Sequence, residues 1–177
     1  ARGVAPNAAR PLLLIGQRHA AAGRHEEALQ AWNELRERAP AAFSLVARDW
    51  ARSAAACGQR TAAQSTLEAI YRERPELELL RALALLDDDA KQSGLRFARH
   101  AAEHPSIAAA AALVQTPPPT LEEPVRAGLR LAVEQAAAPA RRYRCAACGF
   151  EAQHYFWQCP ACLSWDSFPP QRIEEST

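Results

Sequence analysis

Residues 16–40 read GQRHAAAGRHEEALQAWNELRERAP, and a second version of this stretch, ARSAAACGQRTAAQSTLEAIYRERP, occupies residues 51–75. The positions that recur 35 residues apart are Gly23 and Gly58, Ala28 and Ala63, Trp32 and Leu67, and Pro40 and Pro75. A glycine can take the left-handed conformation that ends a helix, and a proline cannot continue one. Because a period of this length is typical of a two-helix unit, each version is predicted to be a helical hairpin.

Small and large residues alternate in these hairpins as they do in a known repeat. The signature positions of the first hairpin are Leu12, Ile15, Gly16, His19, Ala28, Trp32, Leu35 and Pro40. The first hairpin resembles a tetratricopeptide repeat at nearly all of them, and the second resembles it less closely, with Ala51 in place of Gly16. Residues 76–104 are predicted to form a third, degenerate hairpin. Its first helix carries Leu80, Leu83 and Leu86, and the aspartates at 87–89 lie in its turn, where a carboxylate caps the following helix.

The C-terminal part of the chain contains two Cys-x-x-Cys turns, here called knuckles. They are Cys145-Ala-Ala-Cys148 and Cys159-Pro-Ala-Cys162, and ten residues separate them. Two such turns brought together place four sulfur atoms around one ion, and the closed set argues for a structural or electron-transfer metal rather than a hydrolytic one. Zinc is favoured and iron stays open, because both accept four thiolates. Two disulfides are the less favoured alternative, since helical repeat domains are usually cytosolic.

The predicted fold is mainly α, a solenoid of helical hairpins with a small C-terminal metal domain. Residues 1–115 are predicted to be the repeats, two regular and one degenerate. Residues 116–140 hold a proline linker and a helix that covers the open end of the array. Residues 141–177 form the metal domain, in which β-favouring aromatic residues predict a short hairpin that carries the second knuckle.

Composition and charge exclude several classes of protein. Alanine dominates the apolar residues and only 7% of the 177 residues are aromatic, which disfavours an all-β fold. The net charge is +1, and residues 141–177 carry four basic and four acidic side chains, so nucleic acid is not an expected partner. Arg141, Arg142 and Arg144 are expected instead to offset the charge of the metal centre or to fix its contact with the last helix. No nucleophile and base form a recognisable catalytic pattern, and we expect a protein that is not an enzyme.

Candidate partner-binding residues lie on both parts of the chain. On a helical solenoid the first helices of the hairpins line a concave wall, which predicts that it holds Arg10, Gln17, Arg48 and Arg52. These side chains could bind the carboxylates of an acidic peptide. In the metal domain Trp157 and Trp165 are expected either to pack on the repeats or to face a partner.

The residues from Tyr143 to Phe150, the run Tyr155-Phe-Trp-Gln-Cys-Pro-Ala-Cys162 and Trp165, preceded by helical repeats, resemble the lipopolysaccharide assembly protein B (LapB, YciM) family. The resemblance implies a rubredoxin-type metal domain with Cys145, Cys148, Cys159 and Cys162 as ligands. Leu163 departs from the pattern, since many rubredoxin knuckles have glycine there. The chain is then expected to be the C-terminal part of a longer protein that carries further repeats and an N-terminal membrane helix.

For function, the resemblance implies a regulatory adaptor at the cytoplasmic face of the inner membrane of a Gram-negative cell. Its family partners are the membrane protease FtsH, the deacetylase LpxC whose degradation FtsH carries out, and other lipopolysaccharide-assembly proteins. The oligomeric state stays open, a homodimer included. An iron rubredoxin that transfers electrons and a zinc ribbon that binds nucleic acid are the alternative functions.

Overall fold

The computed structural model describes residues 9–104, 106–115, 130–131, 133–138 and 141–173. The chain divides into two compact units, Ala1–Asp87 and Asp88–Thr177. It is mainly helical in the first unit and combines helices with a small β-structure in the second, as the sequence predicted. Within the described residues, every helix is too short or too polar to cross a membrane.

The described part of the first unit contains five α-helices and one 3-10 helix. Their bounds are α1 Ala9–Ala21, α2 His25–Arg38, the 3-10 helix Pro40–Leu45, α3 Ala47–Ala56, α4 Arg60–Glu73 and α5 Leu77–Ala84. Helix α1 packs on α2, α2 packs on α3, and α3 packs on both α4 and α5. The largest fully buried side chains of this unit include Trp32, Phe43, Leu67 and Leu79, so one apolar core runs through the stacked helices.

The two predicted hairpins share the same backbone hydrogen bonds. Gly23 and Gly58 have φ angles of 73° and 72°. The residue after each glycine donates its N–H across the turn, Arg24 to the His19 carbonyl at 2.9 Å and Gln59 to the Ala54 carbonyl at 2.8 Å. The glycines therefore end the first helix of each hairpin as predicted, because this C-terminal turn needs a positive φ. The assignment of the hairpins to the tetratricopeptide class stays a prediction.

The second unit begins with α6 Ala90–Glu103 and α7 Ile107–Gln115. The Asp89 side chain accepts the N–H of Lys91, so the predicted aspartate cap of α6 is confirmed. The two helices predicted as a third hairpin, α5 and α6, belong to different compact units. Leu86 was expected on α5, but that helix ends at Ala84 and the buried Leu86 lies in the turn that follows.

After α7 the structure describes only part of the predicted linker and last helix. Residues 130–131 and 133–137 are helical, while the prolines at 117–119 and the predicted start of the helix lie outside the described residues. The remaining elements are β1 Tyr143–Arg144 and β2 Glu151–Ala152, which pair antiparallel with Tyr143 opposite Ala152. Residues 141–173 are called the ribbon below, and they carry all four cysteines of the two knuckles. The boundaries 1–115, 116–140 and 141–177 stay predictions.

Candidate metal centre

The two knuckles have the same backbone conformation. In the first, the Gly149 N–H donates to the Cys145 carbonyl at 2.8 Å and the Cys145 N–H donates to the Phe150 carbonyl at 2.9 Å. In the second, the Leu163 N–H donates to the Cys159 carbonyl, and the Cys159 N–H donates to the Ser164 carbonyl, both at 2.9 Å. Each turn therefore holds the two sulfur atoms of its Cys-x-x-Cys pair on the same side of the backbone.

One position in each knuckle has a positive φ angle. It is 78° at Gly149 and 60° at Leu163. A glycine adopts this conformation without steric cost, whereas a leucine there is strained because its Cβ crowds the backbone. The departure of Leu163 from the family pattern therefore leaves the form of the second turn unchanged and adds local strain to it.

The predicted short hairpin exists, but it carries the first knuckle rather than the second. Strands β1 and β2 lie on either side of residues 145–150, with Arg144 opposite Glu151. The second knuckle is closed by an isolated bridge between Gln158 and Trp165. Each half of the centre thus rests on one short antiparallel pairing.

The four sulfur atoms converge on one point. The ligand atoms of Cys145, Cys148, Cys159 and Cys162 all lie within 4.8 Å of one another. The Sγ atoms of Cys145 and Cys162 are 3.8 Å apart, and those of Cys148 and Cys159 are 3.7 Å apart. A zinc–sulfur bond of about 2.3 Å gives a tetrahedron whose edge is about 3.8 Å, so the sulfurs fit one tetrahedral ion.

These distances exclude disulfides, since a sulfur–sulfur bond is about 2.05 Å long. All four cysteines are free thiols in this structure, and so is Cys57. Cys57 was expected to be a buried filler, but it is only half-buried, at the C-cap of α3.

The hydrogen bonds around the sulfurs favour ionised cysteines. Cys145 Sγ lies 3.2 Å from Ser167 Oγ. This hydroxyl and the backbone N–H groups of Ala147 and Cys148 lower the pKa of Cys145 to about 6. The side chain and N–H of Ser164 likewise lower the pKa of Cys162.

The proximity of the sulfurs has the opposite effect on Cys148. The Phe150 N–H lowers the pKa of Cys148, but the neighbouring sulfurs of Cys162, Cys145 and Cys159 raise it to about 12. Four thiolates at this separation repel one another, and a divalent cation among them removes that penalty. The donor set therefore fits a thiophilic metal ion better than it fits four protons.

The ribbon has a very small apolar core around the centre. The core consists of Tyr143, Cys145, Cys159 and Phe168, with Tyr155 packed against it. The Tyr155 hydroxyl donates to the Phe168 carbonyl at 3.1 Å, and burial raises the pKa of Tyr155 to about 12. Two of the four core residues are sulfur ligands, so the core and the metal site form a single structure.

Two of the three arginines that precede the first knuckle pair with Glu151. Arg144 donates to Glu151 Oε1 through Nε at 3.1 Å and Nη2 at 2.7 Å. Arg142 lies 3.7 Å from the other oxygen of the same carboxylate. The backbone N–H of Arg141 donates to the Ala137 carbonyl, which ties the ribbon to the end of the last helix. This bond is made by the backbone, so the predicted role of the arginine side chains at the last helix stays a prediction.

The candidate partner-binding residues are spread over both units. In the first unit Gln17, Arg48 and Arg52 are exposed and Arg10 is half-buried. Arg52 pairs with Asp49 of its own helix at 2.8 Å. In the ribbon Trp165 is 55% exposed, whereas Trp157 is half-buried with its ring 5.0 Å from that of Tyr155.

Sequence reasoning missed the role of Ser167. This residue lies five positions after Cys162 and hydrogen-bonds a sulfur of the opposite knuckle. No local pattern marks it, because the contact depends on how the chain turns back after the second knuckle.

Comparison with known proteins supports a metal-binding domain in this part of the chain. Residues 143–170 match the family model of the rubredoxin metal binding domain found in LapB. A segment of 31 residues is 48% identical to lipopolysaccharide assembly protein B of Escherichia coli strain K12, and to the proteins of that name from the O6:H1 and O157:H7 strains. This segment is 18% of the present chain and 8% of each relative. The predicted resemblance to the LapB family and the rubredoxin-type fold of the C-terminal segment are confirmed.

Proposed function

We propose that this chain is part of a non-enzymatic adaptor in lipopolysaccharide assembly, in which the helical hairpins bind other proteins and one zinc ion holds the ribbon together. The observation that carries the proposal is the closed set of four sulfurs inside the segment that matches the LapB-type domain. The name of the relatives supports a role in lipopolysaccharide assembly. The closed set of sulfurs supports a non-enzymatic function.

The metal has a structural role in this proposal. When bound, the ion would supply charge neutralisation and four covalent cross-links, with Cys145, Cys148, Cys159 and Cys162 as its ligands. Four protein ligands fill a tetrahedral site, so neither water nor a substrate has a coordination position. Because the ribbon has two-residue strands and a four-residue core, metal binding must supply most of its folding free energy.

Iron is the second candidate metal, favoured by the same set of four thiolates, and it would make the ribbon an electron-transfer centre. Metal analysis of the purified chain separates the two. The zinc proposal expects one zinc per chain and a colourless protein. Stoichiometric iron with visible absorption and a reversible one-electron potential would replace it with the redox function.

The finer mechanism that we propose is that the adaptor promotes degradation of LpxC by FtsH. In the whole protein, a membrane helix of the kind that the family resemblance implies would provide attachment at the cytoplasmic face of the inner membrane. Arg48 and Arg52 on α3 are exposed and suit the carboxylates of an acidic segment, and Arg10 and Gln17 of α1 would extend that surface. Trp165 is the aromatic residue of the ribbon best exposed for a partner.

A pull-down from membranes with the intact parent protein tests the adaptor. The bait is compared with a variant in which the four ligand cysteines are serine, and with Cys57→Ser as the matched control. We expect the protease or LpxC to be lost from the four-serine bait only, and cellular LpxC to rise in that strain. Retention of the partners by the four-serine bait would refute a role of the ribbon in recruitment.

A charge test addresses the binding surface separately. Arg48→Glu and Arg52→Glu reverse two exposed charges without touching the core. We expect the double variant to lose partners while keeping its zinc and its helical content. Unchanged capture would remove α3 from the proposed surface.

A further inference from the structure

The two cysteines of each knuckle differ in exposure, and they differ in the same way in both knuckles. The first cysteine of each, Cys145 and Cys159, is buried, and the second, Cys148 and Cys162, is exposed. The buried pair lies in the core of the ribbon with Tyr143 and Phe168. The tetrathiolate centre therefore has one edge inside the protein and one edge in solvent.

Exposure decides which thiolate an oxidant reaches. Oxidation of cysteine follows thiolate character and accessibility, and binding to a metal keeps a cysteine in the thiolate form. The residues that follow the exposed cysteines, Gly149 and Leu163, are themselves exposed, so the tip of each turn lies at the surface. The solvent edge is then the place where a small oxidant meets two adjacent thiolates.

We propose that Cys148 and Cys162 form an oxidation site, at which a hydroperoxide converts the two thiolates into a disulfide and the zinc ion is released. This inference rests on the zinc loading put forward above. The sulfurs lie within 4.8 Å of one another, so a bond between these two needs only a short movement of the knuckle tips. The buried sulfurs stay in the core during this step.

The chemistry balances with the peroxide as the only oxidant. One thiolate attacks a peroxide oxygen, the O–O bond breaks, and a sulfenic acid forms as hydroxide leaves and takes a proton. The second thiolate attacks the sulfenic sulfur, which forms the S–S bond and releases a second hydroxide that is also protonated. Two thiolates, two protons and one hydrogen peroxide thus give one disulfide and two water molecules, while Zn²⁺ loses two of its four ligands.

Loss of the ion would be transmitted to the whole ribbon. Two of its four core residues are ligands, so the core loses its cross-link when zinc leaves. The exposed Trp165, which is paired through its backbone with Gln158 beside the second knuckle, would then lose its fixed position. Oxidation would in this way remove the aromatic surface of the ribbon.

The experiment uses the full zinc-loaded chain carrying Cys57→Ser, so that every remaining thiol belongs to the centre. Zinc content is measured first, because iron or no metal at that stage would overturn the zinc assignment and this inference with it. Hydrogen peroxide is then added to two parallel samples, one containing a chromogenic zinc indicator and the other containing dimedone. Free thiols are alkylated, and the chain is cut after Glu151 before mass spectrometry.

We expect one zinc to be released per disulfide formed, and a cross-link that joins the peptides on either side of Glu151 through Cys148 and Cys162. Dimedone should label those two sulfurs, and the alkylating reagent should label Cys145 and Cys159. A disulfide within one knuckle, or labelling of the buried pair by dimedone, would overturn the proposed site. So would retention of zinc at a peroxide concentration that oxidises Cys57 in the parent chain.

Discussion

Gly16 lies directly beneath the Trp32 ring, and replacing it with alanine gives the sharpest test of how the hairpins pack. A Cβ at this position would lie 2.2 Å from Nε1, 2.4 Å from Cε2 and 2.6 Å from Cδ1 of that ring. Trp32 is fully buried, and its Nε1 donates to the Leu13 carbonyl at 3.3 Å. The ring cannot move aside without breaking this hydrogen bond or displacing the core, so Gly16→Ala must strain α1 against α2.

The change in the free energy of unfolding on Gly16→Ala is a balance of two effects. Overpacking a core by one carbon costs about 1–3 kcal/mol, and the overlap with three ring atoms places Gly16→Ala near the upper end. Alanine in a helix gains roughly 1 kcal/mol over glycine. The expected net loss is about 1–2 kcal/mol in the free energy of unfolding, which for a unit of this size is a fall in Tm on the order of 10 °C.

At the two equivalent positions the second hairpin has a larger residue than glycine and a smaller one than tryptophan. Ala51 and Leu67 occupy the positions 35 residues beyond Gly16 and Trp32, and both are fully buried. Trp32→Leu alone should cost roughly 2–4 kcal/mol through lost volume and the lost hydrogen bond. The double variant Gly16→Ala, Trp32→Leu should be no less stable than Trp32→Leu alone, because the new methyl group fills part of the vacated space.

Urea denaturation followed by far-ultraviolet circular dichroism measures the four members of this cycle, with hydrogen exchange in α1 and α2 as the local readout. We expect a favourable coupling free energy of about 1–2 kcal/mol between the two substitutions. Ala51→Gly is the matched control, since it changes helix propensity in the other hairpin without a ring above it. If Gly16→Ala is as stable as the parent, or if the two substitutions add within about 0.5 kcal/mol, the packing argument is wrong.

Three further predictions concern the second unit. Removal of the metal with a chelator should abolish hydrogen-exchange protection across residues 141–173, and protection that survives would show that the apolar core folds without an ion. Leu163→Gly should relieve the positive φ and raise the stability of the metal-loaded ribbon by about 0.5–1 kcal/mol, read as a several-fold tighter zinc affinity. Gly149→Ala should cost about 1 kcal/mol because it places a side chain at a positive φ, although its Cβ would meet open space. Equal zinc affinities in the parent, Leu163→Gly and Gly149→Ala would contradict the backbone strain at these positions. Burial, followed by the neighbouring charge of His104, lowers the pKa of His100 below 6.5. Because the unfolded chain then binds a proton more readily than the folded one, the free energy of unfolding should fall as the pH drops below about 6.5. His100→Gln should flatten this dependence in denaturant titrations between about pH 7 and pH 5.

The hairpins were predictable because their information is local. A glycine that needs a positive φ, followed by an apolar helical pattern and a proline, specifies each turn and each helix end within one repeat. The 3-10 helix at Pro40–Leu45 was not predicted, since its stability depends on Phe43, which is fully buried with its ring 5.6 Å from that of Trp50. Such a contact depends on where the following helix lies, and no local pattern encodes that position.

Some features of the metal centre were likewise predictable from local sequence, and others depend on residues that are distant in the chain. Spacing alone identified Cys145, Cys148, Cys159 and Cys162, because a Cys-x-x-Cys turn can direct two sulfurs to one ion whatever surrounds it. The unequal exposure of the cysteines and the hydrogen bond between Cys145 and Ser167 arise only when the chain folds back over the first knuckle.

The exposed edge follows from how the two knuckles share one core. Each knuckle enters the core through its first cysteine, whose N–H pairs with the carbonyl five positions later, so the second cysteine is left at the tip of the turn. A ribbon of this length has too few apolar residues to cover both tips. With the proposed zinc in place, half of its ligands would then be open to solvent, and the stability of the ribbon would be sensitive to whatever reacts with those two sulfurs.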